Sequence, residues 1–383
     1  MNHTPPATTP QAITQPSPSV DAFLQAADQA LEPRMHARVD LFINPNIQLP
    51  RYLVGRNADA QHLARLLPFQ GVIDDSPGAP SQWCGLPVLP MHAVPKHAWV
   101  INCATSIAPV NVNRALTRAN IAQRLHISDL LAHPAWPDQH LPWFVLQQRE
   151  EFAQHRQAWA ALYSRLEDAE SKRVLTDMLC YRLSANPIYM KGRTVRLAQQ
   201  YFEPFLNLKG EVFVDAGGFD GDTTELFMQH DPEHRRVYFV EPSPSNLKAA
   251  QQRLAGCDER ITWLPVGLSS QAGQLNFNDG AGSASAVGQA GDIQIPVDTL
   301  DALVPGPVSF IKMDLEGWEL HALEGCQRHI AQHQPKLAIS VYHHAAHCRE
   351  VCLRVLAMNP HYKVRLRHYT QGWSETVMFF TGS

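Results

Sequence analysis

The feature that most constrains the fold of this chain is a short apolar run that ends in an acid and a glycine-rich turn. The run begins at Glu211 and reads Glu-Val-Phe-Val-Asp-Ala-Gly-Gly-Phe-Asp-Gly. Apolar residues followed directly by glycines are typical of a buried parallel strand that ends in a tight turn before a helix. Gly217 and Gly221 permit such a turn because glycine tolerates a positive φ and lets another backbone approach closely. The run therefore predicts the first strand of an open α/β sheet, with a ligand site at its carboxyl end.

The C-terminal half continues this alternation of strands and helices. Short apolar runs predict five parallel strands, at 212–215, 237–241, 261–264, 308–314 and 336–342. Helical patterns separate most of these strands, at 223–230, 245–255 and 317–332. Two further runs predict a closing hairpin, at 362–367 and 375–381. We therefore expect a doubly wound, Rossmann-like sheet with a terminal antiparallel hairpin.

The N-terminal half has a weaker version of the same pattern. Strand-like runs at 51–55, 71–75, 86–89 and 98–102 alternate with a helix at 58–67, which indicates a smaller Rossmann-like α/β domain. From about residue 110 the pattern is mainly helical, with its clearest segments at 149–165 and 171–183, the second beginning at Ser171 as N-cap. We divide the chain into four parts: a flexible tail (1–20), a Rossmann-like domain (21–125), a helical connector (126–200) and a C-terminal domain (201–383).

Composition excludes several classes of partner. The formal net charge of -4 gives no basic face for nucleic acid. No apolar run approaches the roughly 20 residues of a membrane helix, so we expect no membrane insertion. The seven cysteines are odd in number and contain no Cys-x-x-Cys pair, so they indicate neither a disulfide framework nor a zinc knuckle. Because the N-terminus also lacks a signal-peptide pattern, we expect a cytoplasmic protein. The sequence leaves open whether the chain forms a homo-oligomer.

Acids beside the glycine turn indicate which nucleoside could bind there. Asp215, Asp220 and Asp222 would repel the pyrophosphate that a helix N-terminus otherwise attracts. Glu241 ends the next strand about 20 residues beyond the turn, the separation expected for a carboxylate that binds ribose hydroxyls. S-adenosylmethionine carries a sulfonium and an ammonium but no phosphate. The pattern therefore favours S-adenosylmethionine over a dinucleotide, and a glycine turn with solvated acids and no ligand is the remaining alternative.

Four sequence blocks follow one another through the C-terminal half. They read Val-Asp-Ala-Gly-Gly-Phe-Asp-Gly-Asp-Thr-Thr from Val214, Val-Glu-Pro-Ser-Pro-Ser-Asn from Val240, Ile-Lys-Met-Asp-Leu-Glu-Gly-Trp-Glu from Ile311 and Ile-Ser-Val-Tyr-His from Ile339. In this order they resemble the FkbM family of methyltransferases. The resemblance implies methyl transfer from S-adenosylmethionine to an oxygen of a small molecule, such as a sugar, a glycoconjugate or a secondary metabolite. It also implies that the first domain is a degenerate nucleotide-binding domain, because the turn at Gly55 lacks the second and third glycines.

The resemblance also implies the residues of the site. The cofactor-binding residues would be Asp215, Gly217, Gly218, Phe219, Gly221, Glu241 and Asp314. Asp314 and Glu316, after the fourth strand, would face donor and acceptor. Methylating a hydroxyl requires a base or a metal to take the proton, and Asp314 and His343 are the best candidates for the base because both end predicted strands. We therefore expect Asp314, His343 and Glu316 to be catalytic.

Three alternatives accompany this hypothesis. A divalent metal could be bound by His343, His344 and His347 together with the two acids, but a chain with 19 histidines brings some together by chance, so we predict no metal. The chain could instead bind a nucleotide or S-adenosylmethionine without turnover, or act as an NAD-dependent oxidoreductase. Trp318 could cover the site or pack on the sheet, and we favour burial.

Overall fold

The computed structural model describes residues 19–44, 46–256, 259–277 and 293–382. Most of the predicted flexible tail (1–20) and Cys257 lie outside these residues. The described cysteines are free thiols. In the described part of the chain, none of the helices is both long and apolar enough to cross a membrane. The architecture is α/β, with two large sheets joined by helices, as the sequence predicts.

The first sheet is built from the N-terminal third. Its strands are β1 Arg51–Val54, β2 Gly71–Ile73, β3 Gln82–Trp83, β4 Leu86–Leu89, β5 Trp99–Asn102 and β6 Gln123–His126. Its helices are α1 Val20–Leu31, α2 Ala37–Ile43, α3 Ala58–Leu66 and α4 Pro109–Arg118. The strand order is β3-β4-β2-β1-β5-β6, with all pairs parallel except β3 with β4. The predicted Rossmann-like topology is confirmed, whereas β6 was missed because Gln-Arg-Leu-His has no apolar run.

Three helices connect the two sheets, namely α5 Ile127–Leu131, α6 Trp143–Arg165 and α7 Ala169–Ser184. The prediction that Ser171 caps α7 is wrong. Asp168 is the N-cap, and its side chain accepts a hydrogen bond from the Ser171 amide at 2.7 Å. The Ser171 hydroxyl lies one turn into the helix and donates to the same carboxylate. Both residues suit helix starts, and the carboxylate is the group placed to accept from the third residue of the helix.

The second sheet carries the predicted doubly wound topology. The remaining strands are β7 Val212–Ala216, β8 Arg236–Val240, β9 Ile261–Leu264, β10 Gly267–Leu268, β11 Gly273–Phe277, β12 Ile293–Asp298, β13 Phe310–Met313, β14 Lys336–Ser340, β15 Lys363–His368 and β16 Thr376–Thr381. The remaining helices are α8 Asp222–His230, α9 Pro244–Arg253, α10 Leu300–Leu303, α11 Glu319–Glu324 and α12 His347–Met358. The order is β15-β16-β14-β13-β7-β8-β9, with five parallel strands and β16 antiparallel to both neighbours. Residues in the middle of these strands are fully buried, among them Phe213, Val237, Phe239, Ile311 and Ile339.

Two features of this half differ from the sequence-based expectation. A separate three-stranded sheet, β10-β12-β11, is formed by residues that lie in sequence between the parallel strands β9 and β13. The helix expected at 317–332 is split into α11 and a π-helical turn at His329–His333. Gly325 ends α11 where the chain passes so close that a Cβ would stand 2.1 Å from the Ser269 carbonyl oxygen. The helical periodicity of the sequence does not report this close approach.

Candidate active site

A cavity of about 580 Å³ opens at the carboxyl ends of the central parallel strands of the second sheet. In a doubly wound sheet this edge, near the first strand, is where ligands bind. One end of the cavity is mainly apolar and the other is rich in carboxylates and aromatic rings. The apolar end includes Phe219, Val240, Glu241, Pro242, Val266, Leu268, Phe277 and Ile295, and the carboxylate end includes Tyr201, Asp314, Glu316, Trp318, Tyr342, Trp373 and Glu375.

The glycine turn after β7 is required by close backbone packing. Gly217 has φ of +77°, and a Cβ there would stand 1.9 Å from the Asp314 carbonyl oxygen. Gly221 also has a positive φ, +86°, and is the N-cap of α8. A Cβ on Gly218 would strike the Phe239 ring. Of these glycines Gly217 lines the cavity, while Gly218 and Gly221 serve the turn that shapes it.

The amides of this turn are already hydrogen-bonded within the protein. Gly217 and Gly218 both donate to the Val240 carbonyl oxygen, at 3.0 and 3.1 Å. The Phe219 amide donates to Glu241 Oε2 at 3.0 Å. A pyrophosphate needs free amides at this position. The turn therefore offers a poor cradle for a dinucleotide, in agreement with the sequence-based preference.

Asp215 lies beneath the turn and not on the cavity wall. Its carboxylate is 0% exposed, accepts from the Thr224 hydroxyl at 2.7 Å and lies 3.1 Å from Lys312 Nζ. Burial raises the pKa of Asp215, and Lys312 opposes this effect. Asp220 is also paired, with Arg253 at 2.6 Å. The expectation that these two acids present free charge to a ligand is wrong, because each is neutralised by a partner that is distant in sequence.

Glu241, by contrast, lines the cavity as predicted. Besides its bond from Phe219, it accepts from the Ser243 amide at 2.9 Å through Oε1. Burial raises its pKa, and these backbone amides oppose the effect. A carboxylate has about four lone-pair positions, so Glu241 can still accept from a ligand hydroxyl. The side chain is held rigidly in place at the apolar end of the cavity.

Asp314 follows β13 and lines the carboxylate end. Its Oδ2 accepts from the Tyr201 hydroxyl at 2.7 Å, and its Oδ1 lies 3.5 Å from the Tyr342 hydroxyl. The Gln200 side chain joins Tyr201 to Glu375, with Nε2 2.9 Å from Tyr201 Oη and 2.8 Å from Glu375 Oε2. Burial and the nearby Asp314 carboxylate raise the pKa of Glu375 to about 7. A continuous hydrogen-bond network thus links two carboxyl groups at this end.

His343 lies behind this wall and contacts three carboxylates. Nε2 is 3.6 Å from Asp314 Oδ1 and 3.4 Å from Glu316 Oε2, while Nδ1 is 3.0 Å from Glu319 Oε1. Burial alone would lower the pKa of His343, but Glu316 and Glu319 hold it well above its usual value. His347 faces Glu319 at 3.4 Å, and His344 is exposed. Of the predicted histidines, His343 is therefore the one that joins Asp314 and Glu316.

The N-terminal half contributes part of the cavity wall. Ser106 and Ile107, in the loop after β5, line the cavity beside Trp373. The Gln371 amide donates to the Ile107 carbonyl oxygen at 2.8 Å, and the Trp373 amide donates to Thr105 at 3.1 Å. Gly55, in the loop after β1, packs closely on the backbone at 103–104. The loop after β5 thus contacts the hairpin turn that carries Glu375.

Several lining residues were not found from the sequence. Tyr201, Gln200, Lys312 and Glu375 reach the site from different parts of the chain. Lys312 could have been suspected, because it is a charged residue inside an otherwise apolar strand. The prediction that Trp318 is buried on the sheet is wrong, since its ring is half-buried and lines the cavity. It follows Gly317, whose φ of +101° turns the chain away from the sheet.

Comparison with known proteins identifies the C-terminal domain. Residues 215–369 match the family model described as "Methyltransferase FkbM domain". The crystal structure of methyltransferase FkbM from Methylobacillus flagellatus KT is 23% identical, covers 94% of this chain and 98% of its own, and has a TM-score of 0.73. This likeness shows that the two chains share a fold.

Smaller structures match at lower similarity. A putative rRNA methylase from Clostridium thermocellum is 11% identical over 45% of this chain and 87% of its own, and an rRNA methylase from Streptococcus thermophilus is 17% identical over 51% and 96%, each with a TM-score of 0.33. No curated protein matches the chain.

The family match covers the glycine turn, Glu241 and the Asp314 cluster. Residues 215–369 therefore form a methyltransferase domain of the FkbM family.

Proposed function

We propose that this enzyme transfers a methyl group from S-adenosylmethionine to a hydroxyl oxygen of a small molecule, such as a saccharide, a glycoconjugate or a secondary metabolite. The observation that carries the proposal is one continuous cavity with Glu241 at its apolar end and Asp314 at its carboxylate end. A nucleoside donor and a hydroxylated acceptor need these two environments side by side. Of the predicted cofactor-binding residues, Gly217, Phe219 and Glu241 would contact the donor, Asp314 would face the acceptor, and Asp215, Gly218 and Gly221 would shape the turn.

The donor end suits S-adenosylmethionine in shape and charge. Glu241 would accept from the ribose hydroxyls, and Pro242, Val266 and Leu268 offer apolar surface for the adenine. Asp222 is exposed at the cavity and carries no ion pair within the described residues, so it can attract a cationic group. Because the turn amides are already used, a phosphate-free donor fits better than NAD.

At the acceptor end the reaction is an in-line displacement. The acceptor oxygen attacks the methyl carbon, the bond from carbon to sulfur breaks, and the donor leaves as the neutral thioether S-adenosylhomocysteine. The hydroxyl proton must pass to a base. We propose that Asp314 and Glu316 hold and orient the acceptor oxygen, that His343 orients these two carboxylates from behind the cavity wall, and that Glu375, with its pKa near 7, takes the proton. His343, which the sequence suggested as a base, is a poor one, because its raised pKa keeps the imidazole protonated.

The N-terminal parts of the chain would select the acceptor. We infer that the Rossmann-like domain (21–125) and the connector (126–200) close the carboxylate end and bind no nucleotide of their own. Ser106 and Ile107 supply this wall, and Arg182 of α7 donates to the Tyr342 and Trp373 carbonyl oxygens at 2.9 and 3.0 Å. These contacts fix two cavity residues from outside the methyltransferase domain.

Calorimetry tests the donor. We expect the protein to bind S-adenosylmethionine and S-adenosylhomocysteine, and Glu241→Gln to weaken both by about 1 to 3 kcal/mol, the usual cost of losing a charged hydrogen bond. Glu225→Gln is the matched control, because Glu225 is half-buried on α8, does not line the cavity, and forms an ion pair only with Arg253, at 3.2 Å, among the described residues. Tight binding of NAD without a response to either methionine nucleoside would overturn the proposal. Donor binding without methyl transfer to any of a panel of saccharides and other hydroxylated metabolites would favour the sensor alternative.

The pH dependence tests Glu375. Turnover should rise as the pH passes through about 7, because Glu375 must be ionised to accept the proton, and Glu375→Gln should lose this dependence. The folded protein favours the neutral carboxyl, since its pKa lies above the ordinary 4.5. This stabilisation is complete below about 4.5 and is lost as the pH rises through about 7. Melting temperatures should therefore fall over that range more in the wild type than in Glu375→Gln, and equal slopes would contradict the raised pKa.

A further inference from the structure

We propose that Asp314, Glu316 and His343 form a binding site for one divalent cation of the Mg²⁺ and Mn²⁺ class at the acceptor end of the cavity. Within the described residues these three each offer one ligand atom, and the atoms lie within 4.8 Å of one another. One imidazole and two carboxylates are a donor set that suits such cations.

The distances fit a cation placed between the three side chains. His343 Nε2 stands 3.6 Å from Asp314 Oδ1 and 3.4 Å from Glu316 Oε2. With metal-to-ligand distances of about 2.1 Å, neighbouring ligands of an octahedron lie about 3 Å apart and opposite ligands about 4.2 Å apart. Movements of a few tenths of an ångström, within the freedom of three side chains, would complete the coordination.

The orientation of His343 supports a ligand at Nε2. The side chain is 8% exposed, and among the described residues neither ring nitrogen has a hydrogen-bond partner of acceptable geometry. Nδ1 faces the carboxylate of Glu319, which is fully buried and accepts from the Leu315 and Gly317 amides at 2.8 and 3.4 Å. A histidine that binds a metal through one ring nitrogen usually donates the proton of its other ring nitrogen to a carboxylate, and Glu319 is placed to accept it. Once a cation displaces the proton from Nε2, its lone pair would face the space between Asp314 and Glu316.

The backbone also holds the second carboxylate in place. Glu316 has φ of +51°, an uncommon conformation for a residue other than glycine, and Gly317 follows with +101°. Such strained positions persist where the surroundings determine them, and they cluster at functional sites. The turn after β13 therefore directs both of its acids toward His343 instead of letting Glu316 reach solvent freely.

The balance of charge favours a cation at this place. Asp314, Glu316 and Glu319 contact His343, Glu375, whose pKa burial raises, lies near enough for Asp314 and Glu316 to raise it further, and Lys312 already pairs with Asp215. Carboxylates crowded together repel unless a counter-charge joins them. Either a protonated His343 or a bound cation can supply that charge, and the two differ in a measurable way. A cation would displace the proton from Nε2 on binding.

If the proposed methyl transfer is correct, the cation also narrows the acceptor class. Three protein ligands leave about three of six octahedral positions open for water or acceptor oxygens. An acceptor with two adjacent oxygen atoms, such as a vicinal diol of a saccharide, could bind through both. The cation would lower the pKa of the hydroxyl to be methylated, and Glu375 would take its proton. This step rests on the proposed function, whereas cation binding does not.

The experiment uses Mn²⁺ alone, added to the purified full-length protein after chelator treatment and followed by electron paramagnetic resonance. We expect one bound Mn²⁺ per chain, with Mg²⁺ competing for it. Asp314→Asn, Glu316→Gln and His343→Gln should each weaken Mn²⁺ binding by tenfold or more. His344→Gln is the matched control, because this exposed imidazole is adjacent in sequence and outside the cluster, and it should leave Mn²⁺ binding unchanged.

The outcomes separate the cation site from the methyl transfer. Absence of bound Mn²⁺ in the wild-type protein at millimolar concentration overturns the site, whatever the variants do. Binding that survives in His343→Gln and Glu316→Gln, with melting curves like the wild type, overturns it as well. Binding of S-adenosylmethionine in either of these cases leaves the proposed function standing. Conversely, Mn²⁺ binding that depends on the three residues supports the site even if calorimetry detects no methyl donor.

Discussion

Asp314→Asn is expected to lower the turnover number by roughly 10²-fold or more while leaving the binding of S-adenosylmethionine within a few-fold of the wild type. The amide keeps the shape of the side chain but removes the charge that accepts from Tyr201 and faces His343. The acceptor oxygen then loses the group that orients it toward the methyl carbon. Single-turnover assays with a labelled methyl donor, together with calorimetry on the same preparation, measure the two effects separately.

Asp75→Asn provides the matched control for this substitution. Asp75 is exposed in the first domain, where its carboxylate accepts from the Met91 amide at 2.9 Å, far from the cavity. Its replacement should leave turnover unchanged. If Asp314→Asn keeps the turnover of the wild type, Asp314 does not orient the acceptor, and the hydrogen-bond network that connects it to Glu375 is not needed for the reaction. Loss of donor binding and turnover together would instead place Asp314 chiefly against the donor.

The sheet and the donor end could be predicted from the sequence because their signals are local. The parallel strands of the second sheet are short and mainly apolar runs, and the carboxyl ends of parallel strands meet at one edge. Gly217 and Glu241 stand at two such ends, so their proximity follows once the strand order is known. Four strands of the first sheet were predicted for the same reason. The sequence missed the two-residue edge strand β3 and also β6, whose polar sequence hides a strand that pairs along its whole length with β5.

The acceptor end could not be predicted because its contacts are distant in sequence. Tyr201 precedes the first strand of the domain, and Glu375 lies in the turn of the last hairpin, yet the Gln200 side chain joins them. No periodicity relates such positions. The charge argument from the acids beside the glycines failed at Asp215 for a similar reason, since Lys312, its partner, lies on the neighbouring strand. Sequence reports which charges are present, but pairing decides which of them a ligand meets.

The contact between the two halves shows how the first domain shapes the cavity of the second. Gly372 has no room for a side chain, because a Cβ would stand 2.1 Å from the Ser106 carbonyl oxygen and 2.2 Å from that of Thr105. The hairpin turn and the loop after β5 therefore fit together backbone against backbone. In an open α/β sheet this loop would normally close over a ligand of its own domain. In this chain it closes over the cavity of the other domain instead.

Lys312→Met should lower the free energy of unfolding by about 3 to 5 kcal/mol, the usual cost of leaving a buried charge without its partner. Asp215 is fully buried and Lys312 is 2% exposed, so solvent cannot replace the lost contact. Lys312 Nζ also donates to the Gly217 carbonyl oxygen at 2.6 Å, which ties the pair to the glycine turn. Denaturant unfolding measures the stability, and we expect calorimetry to show weaker donor binding as well.

Two further variants decide whether the unpaired charge is the cause. Asp215→Asn combined with Lys312→Met removes both charges, so it should recover a large part of the lost stability, because a neutral pair no longer leaves a carboxylate buried alone. Arg253→Met breaks an exposed pair with Asp220 and should cost only about 0 to 1 kcal/mol. If the double variant is as unstable as Lys312→Met, the loss comes from packing around the methionine. In that case Asp215 is buried in its protonated, neutral form, which is consistent with its raised pKa. Lys312 then stabilises the turn chiefly through its hydrogen bond to the Gly217 carbonyl oxygen.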